Sequence, residues 1–169
     1  MKKILVLLLI SASALGASAP SFRGELLGGG KTSLEQALPK DKLLLVSFWA
    51  TWCVPCMEEL THVRDYLEKN PTFPLAVLTI NVDDEQRSEV AATVKQMKLP
   101  FAVVMDGQKE ILRKYHKDST LPFSVIVAPS REILAKFNGY HESMFKEIAE
   151  LAKKLPAASA AKPAPKAKP

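Results

Sequence analysis

Cysteine is almost missing from this 169-residue chain: there are two, Cys53 and Cys56, and they stand two residues apart. A small domain stapled by disulfides needs several pairs, and 47% hydrophobic residues give this chain enough apolar side chains for an ordinary core. A single close pair where no staple is needed points to chemistry. Histidine is scarce too. His62, His116 and His141 are scattered, so with one cysteine pair they do not compose the four-ligand set of a structural zinc site. Long apolar runs are also lacking: Ile4 to Ile10 falls well short of the ~20 residues that cross a bilayer. Gly28-Gly29-Gly30 lacks the preceding strand of a phosphate loop and reads as a turn between two short strands.

The basic excess is confined to the ends. Lys+Arg number 23 against 18 Asp+Glu, and Lys2, Lys3, Lys162, Lys166 and Lys168 account for the difference. The remainder is formally neutral, which gives a nucleic-acid partner no electrostatic support. Lys2-Lys3, the apolar run after it and the small residues Ser11 to Ala19 read as an export signal, set at residues 1–17. Pro20 argues against a cut after Ala19, so Ala14, Gly16 or Ala17 is the better fit, and the product is expected outside the cytoplasm, in the periplasm of a two-membrane cell. Residues 156–169 contain only Pro, Ala, Ser and Lys, have nothing large to bury, and read as a disordered spacer.

Between these ends short apolar runs alternate with helical patterns. Leu43–Trp49, Leu75–Ile80 and Phe101–Met105 have the look of buried strands. Cys53–Lys69, Glu85–Lys98 and Lys109–His116 read as helices, the first with Leu60, Val63 and Leu67 on one face and Asn70-Pro71 as its stop. Pro122–Ala128 and Ile133–Phe137 flank the turn Pro129-Ser130-Arg131 as a hairpin, and Ser143 is placed to cap a closing helix that ends at Leu155. The order predicts an α/β fold, a mixed sheet covered by helices on both faces.

The two-residue gap sets Cys53 and Cys56 one turn apart at a helix start, where a small disulfide ring closes. Free N–H groups and the helix dipole there stabilise a thiolate at Cys53. Cys53 is then the nucleophile and Cys56 the deeper, resolving thiol. Pro55 suits the first turn, where its missing N–H costs nothing. Glu58 and Glu59 lie in the next turn and no cation flanks the pair, so local charge holds the thiolate short of extreme acidity. A static disulfide gains little from so short a loop. Cu(I) handling through the same two sulfurs stays open, with His116 turned towards them; a surface histidine is the plainer reading of that residue.

The segment Phe48-Trp49-Ala50-Thr51-Trp52-Cys53-Val54-Pro55-Cys56 resembles the active-site segment of the thioredoxin superfamily. Ala50-Thr51-Trp52, Thr79-Ile80-Asn81-Val82-Asp83 and Leu121-Pro122 with its following strand resemble the TlpA/ResA-like envelope branch, which includes reductants serving cytochrome c maturation. The likeness covers about residues 21 to 155, within a domain set at 18–155. It implies a thioredoxin-like fold with an extra strand-helix insertion at Leu75–His116. It implies a cis bond before Pro122, against the disulfide, and a substrate surface formed by Trp52, Val54, Pro55 and Leu121, whose backbone pairs with an extended segment. Asp84 falls where relatives place a carboxylate near the cysteines, a proton acceptor if buried and a solvated loop acid if not. Ser47 stands where cytoplasmic thioredoxins carry a buried acid, which leaves that base unfilled and favours an envelope specialist. Thr61 stands where many relatives have a helix-kinking proline.

The activity implied is thiol-disulfide exchange, with a thiol oxidant or isomerase as the other direction. The expected partners are oxidised cysteine-containing envelope proteins and a membrane electron donor, with no nucleic acid. The scheme calls for no cofactor and assigns no metal ligand, and the protein is expected to act as a monomer.

Overall fold

A computed structural model describes residues 17–84 and 86–155. Residues 1–16 of the expected export signal and the tail from 156 lie outside the described residues.

The chain runs β1 (Arg23–Leu26), β2 (Lys31–Ser33), α1 (Leu34–Ala37), β3 (Leu43–Trp49), α2 (Val54–Lys69), β4 (Leu75–Asn81), α3 (Arg87–Gln96), β5 (Ala102–Met105), α4 (Glu110–Tyr115), β6 (Phe123–Val127), β7 (Ile133–Phe137) and α5 (Met144–Ala152). One seven-stranded sheet forms, in the order β2-β1-β5-β4-β3-β6-β7. β3, β4 and β5 are parallel, while β1, β6 and β7 run antiparallel to their neighbours. All seven residues of β3 are buried, as its unbroken apolar run requires of a strand covered on both faces.

Alternation along the strands sorts the core into two layers. Leu43, Leu45, Leu75 and Ile126 meet Val63 of α2 and Met144, Phe145 and Ile148 of α5. Leu44, Val46, Phe48, Ile80 and Val125 meet Val90 of α3 with Ile111, Leu112 and Tyr115 of α4. The mixed sheet with helices on both faces is therefore as expected, and the insertion supplies β4, β5 and the helices α3 and α4.

One local expectation changes. Ser143 sits at the N-cap of α5 with no capping bond; its hydroxyl donates to Glu147 Oε1 at 2.6 Å instead. At Thr61 the hydroxyl donates to the Met57 carbonyl at 2.8 Å, and α2 runs unbroken past it. The glycine turn closes the β1–β2 hairpin, with Gly29 and Gly30 at φ of +94° and +80°, a region glycine enters without steric cost.

Candidate functional site

The parallel strands β3 and β4 deliver their C-terminal ends to one edge of the molecule, where loops and the start of α2 meet. Cys53 occupies the N-cap of α2, and its carbonyl accepts from the N–H groups of Cys56 (3.1 Å) and Met57 (3.2 Å). Pro55 lies in the first turn, where no intrahelical donor is required. Cys53 and Cys56 are joined in a disulfide with their Cα atoms 5.3 Å apart. Both sulfur-bearing residues are buried, at 5% and 1% exposure, while their neighbours Trp52 and Val54 are 66% and 59% exposed. An apolar rim thus surrounds a nearly covered pair. Pro55 is exposed beside it, and the Lys109 ammonium lies 6.0 Å from the centre of the Trp52 ring.

Leu121-Pro122 has the cis bond that the resemblance implied. Both residues are half-buried and immediately precede β6, so they reach the same end of the sheet as Trp49 and the cysteines. Behind the proline, Gly139 holds φ +101°, and a β-carbon there would stand 3.3 Å from Pro122 Cγ. His116 stacks on Phe123 with ring centres 4.3 Å apart and shares a hydrogen bond with Thr120 at 2.6 Å. It is thus packed beneath the proline loop. Among the described residues no three His, Cys, Asp or Glu side chains converge, so Cu(I) ligation would rest on the two sulfurs.

The acids differ most from the sequence reading. Asp84 is exposed, on a surface shared with Arg87 and Gly107. Its neighbour Asp83 is the buried one, at 4% exposure. Its Oδ2 accepts from the Thr51 N–H and from Asn81 Nδ2, both at 2.8 Å, and its own N–H donates to Asn81 Oδ1 at 3.1 Å. This knot fixes the loop that carries Trp52 and Cys53 to the end of β4.

Glu59 is the residue that sequence reasoning missed. Glu58 and Glu59 looked alike as charges in the second turn, yet Glu58 is exposed and Glu59 is fully buried. Ser47 donates to Glu59 Oε1 at 3.1 Å. The strand position that lacked an acid therefore receives one from α2, and the vacancy read at Ser47 is filled. Burial pushes the Glu59 carboxyl up from its ordinary range, with the Ser47 and Ser124 hydroxyls pulling against that rise. The signal was present: residue 59 is three after Cys56 and four before Val63, the spacing of one helix face.

The chain matches the model of the AhpC/TSA family over residues 15–157. It is 38% identical over 93 residues to the thioredoxin-like protein YneN of Bacillus subtilis, an alignment covering 54% of this chain and 53% of that one. With the sporulation thiol-disulfide oxidoreductase A of the same organism it shares 32% over 79 residues, 46% of this chain and 48% of the relative. The alignments thus span about half the length of these curated relatives. A solved thiol-disulfide oxidoreductase from Bacteroides fragilis superposes with a TM-score of 0.69 at 27% identity, over 80% of this chain and 99% of its own. The thioredoxin domain of an oxidoreductase from Bacteroides vulgatus gives 0.69 at 22% identity, over 82% and 98%. That likeness shows the fold, which is thioredoxin-like.

Proposed function

The chain belongs to the AhpC/TSA family, and on that premise we propose that it is a thiol-disulfide oxidoreductase that works through Cys53 and Cys56. The observation that carries this reading is a closed Cys53–Cys56 disulfide at a helix start, rimmed by exposed Trp52 and Val54 and backed by a buried carboxyl. In the dithiol form the Cys53 thiolate attacks one sulfur of a partner disulfide. A mixed disulfide forms, and the partner's other sulfur leaves as a thiolate that takes up a proton. Cys56 then gives its proton to the Glu59 carboxylate and attacks Cys53. The partner's second sulfur departs, and the ring closes. A carboxyl whose pKa is raised by burial is a better base for this step than a solvated one.

The direction we propose is reduction of partner disulfides. The oxidising extreme of this chemistry depends on strong stabilisation of the thiolate. Here the helix start is flanked by Trp52, Val54 and Pro55, and the nearest buried ionisable group is an acid. The substrates fitting this reading are cysteine pairs in exported proteins, including those of cytochromes c before haem attachment, with electrons resupplied by a membrane donor. Leu121 offers its backbone to the extended substrate segment.

A redox titration against glutathione, with Cys53→Ser and Cys56→Ser as controls, tests the reading. A potential well below that of a strong oxidant is expected, and a value at or above about −120 mV overturns the reductant direction. Cys56→Ser is expected to hold partners as mixed disulfides through Cys53. Tight Cu(I) binding by the reduced protein without disulfide exchange would remove the enzyme reading altogether.

A further inference from the structure

Each of three adjacent buried strands carries one hydroxyl residue within its apolar run, and all three fall at one level of the sheet. Ser47 is in register with Thr79 of β4 on one side and with Ser124 of β6 on the other. None of the three is more than 2% exposed. Thr79 is satisfied by the Ala102 carbonyl at 3.1 Å and Ser47 by Glu59 Oε1. Ser124 Oγ and Glu59 Oε2 are both buried and neither has a completed hydrogen bond. Yet Ser124 is near enough to act on the Glu59 carboxyl. Two orphaned polar groups side by side are costly unless they serve each other in some state of the protein.

We infer that Ser124 is a positioning residue for Glu59: its hydroxyl partners Oε2 in both protonation states and so lets a wholly buried carboxyl take up and release the Cys56 proton. A hydroxyl is donor and acceptor at once. Towards the neutral acid it accepts from the Oε2–H; once the proton has gone it rotates about χ1 and donates to the carboxylate. Ser47 holds Oε1 throughout. Neither state leaves the carboxyl unpaired, which a backbone amide or a carbonyl alone cannot arrange. Among the described residues no charged side chain acts on Glu59. The strands beneath present hydroxyls, α5 places Met144 and Ile148 in the same layer, and α2 contributes Cys56 one turn before. The hydroxyls are thus the local means of supporting the charge.

This inference rests on the dithiol-exchange reading above. The test follows the pH dependence of disulfide reduction by the wild type, Ser124→Ala, Ser124→Thr and Ser124→Val, each also combined with Glu59→Gln. A hydrogen bond to a charged group is stronger than one to its neutral form. Loss of the Ser124 hydroxyl is therefore expected to move the Glu59-dependent limb up by about one pH unit. Threonine keeps the wild-type profile, whereas valine, matched to it in shape, moves the limb as alanine does. On the Glu59→Gln background none of the Ser124 changes has an effect. If Ala and Val profiles superpose on the wild type while that of Glu59→Gln does not, the inference is overturned. The same holds if they shift the limb without Glu59. A Glu59→Gln profile identical to the wild type removes Glu59 from the mechanism, and an absence of exchange in the wild type removes the function itself.

Discussion

Glu59→Gln should change how the oxidised protein's stability depends on pH. The carboxyl is fully buried, and desolvation raises its pKa above the ordinary 4.5. In the unfolded chain it ionises near that ordinary value, while in the folded chain it stays protonated to higher pH. The folded state therefore binds more protons over that interval, and stability falls as pH rises. The slope is about 1.4 kcal/mol for each pH unit, beginning at the unfolded carboxyl's titration and ending where the folded carboxyl ionises. Below the lower limit the two states carry the same proton and Glu59 contributes no slope. The Gln variant keeps an oxygen for the Ser47 hydroxyl and has nothing to titrate, so its curve lacks this segment. Urea unfolding of the oxidised wild type and variant, from pH 4 to pH 8, gives both curves. Their difference removes the contributions of all other groups, including the buried Asp106, whose pKa is raised as well. The variant should gain on the wild type steadily above pH 4.5 and then hold a constant margin, and the pH of that plateau reads the folded carboxyl's pKa. Parallel curves across the whole range would refute the reasoning, because they would mean that Glu59 is not a desolvated acid.

Asp83→Ala removes the acceptor for the Thr51 N–H and Asn81 Nδ2. Two hydrogen bonds to a buried charge are lost, so a fall in unfolding free energy of about 3 kcal/mol is expected in urea titration, with a slower Cys53 reaction because its loop loses its tether. A change under about 0.5 kcal/mol would show that the knot carries no strain of the loop. Gly139→Ala places a side chain at φ +101° and a methyl 3.3 Å from Pro122 Cγ. The expected cost is about 1–2 kcal/mol, with KM for a peptide disulfide raised and reaction with a small aromatic disulfide unchanged. Equal effects on both substrates would place Gly139 outside the extended-segment surface.

Much of the fold follows from local pattern. The Leu43–Trp49 strand was bounded by its own apolar run, since seven buried residues in series suit a strand covered on both sides. The limits of β7 were equally plain, because turn residues stop it before and after. Helix starts were less sharp: Ser143 has a capping residue's chemistry, yet a nearby Glu147 competes for its hydroxyl. Cys53, Cys56 and Leu121-Pro122 stood out because their residue types are rare or constrained and sit at telling intervals. Asp84 was singled out from its place in the chain, where three neighbouring acidic positions look alike. Which of them turns inward depends on where β4 ends and on the Asn81 amide and Thr51 N–H that wait there.

Sequence by itself determined the cysteine pair, its place at a helix start and the alternating order of strands and helices, because these depend on spacing and on apolar periodicity within short segments. Only the tertiary structure decided which acid serves the pair. Residues 47, 59 and 124 are far apart along the chain, and each alone is an ordinary serine or glutamate. Strand register and the seating of α2 on the sheet bring them together, and burial there pushes up the pKa of what the chain alone presents as an ordinary carboxyl.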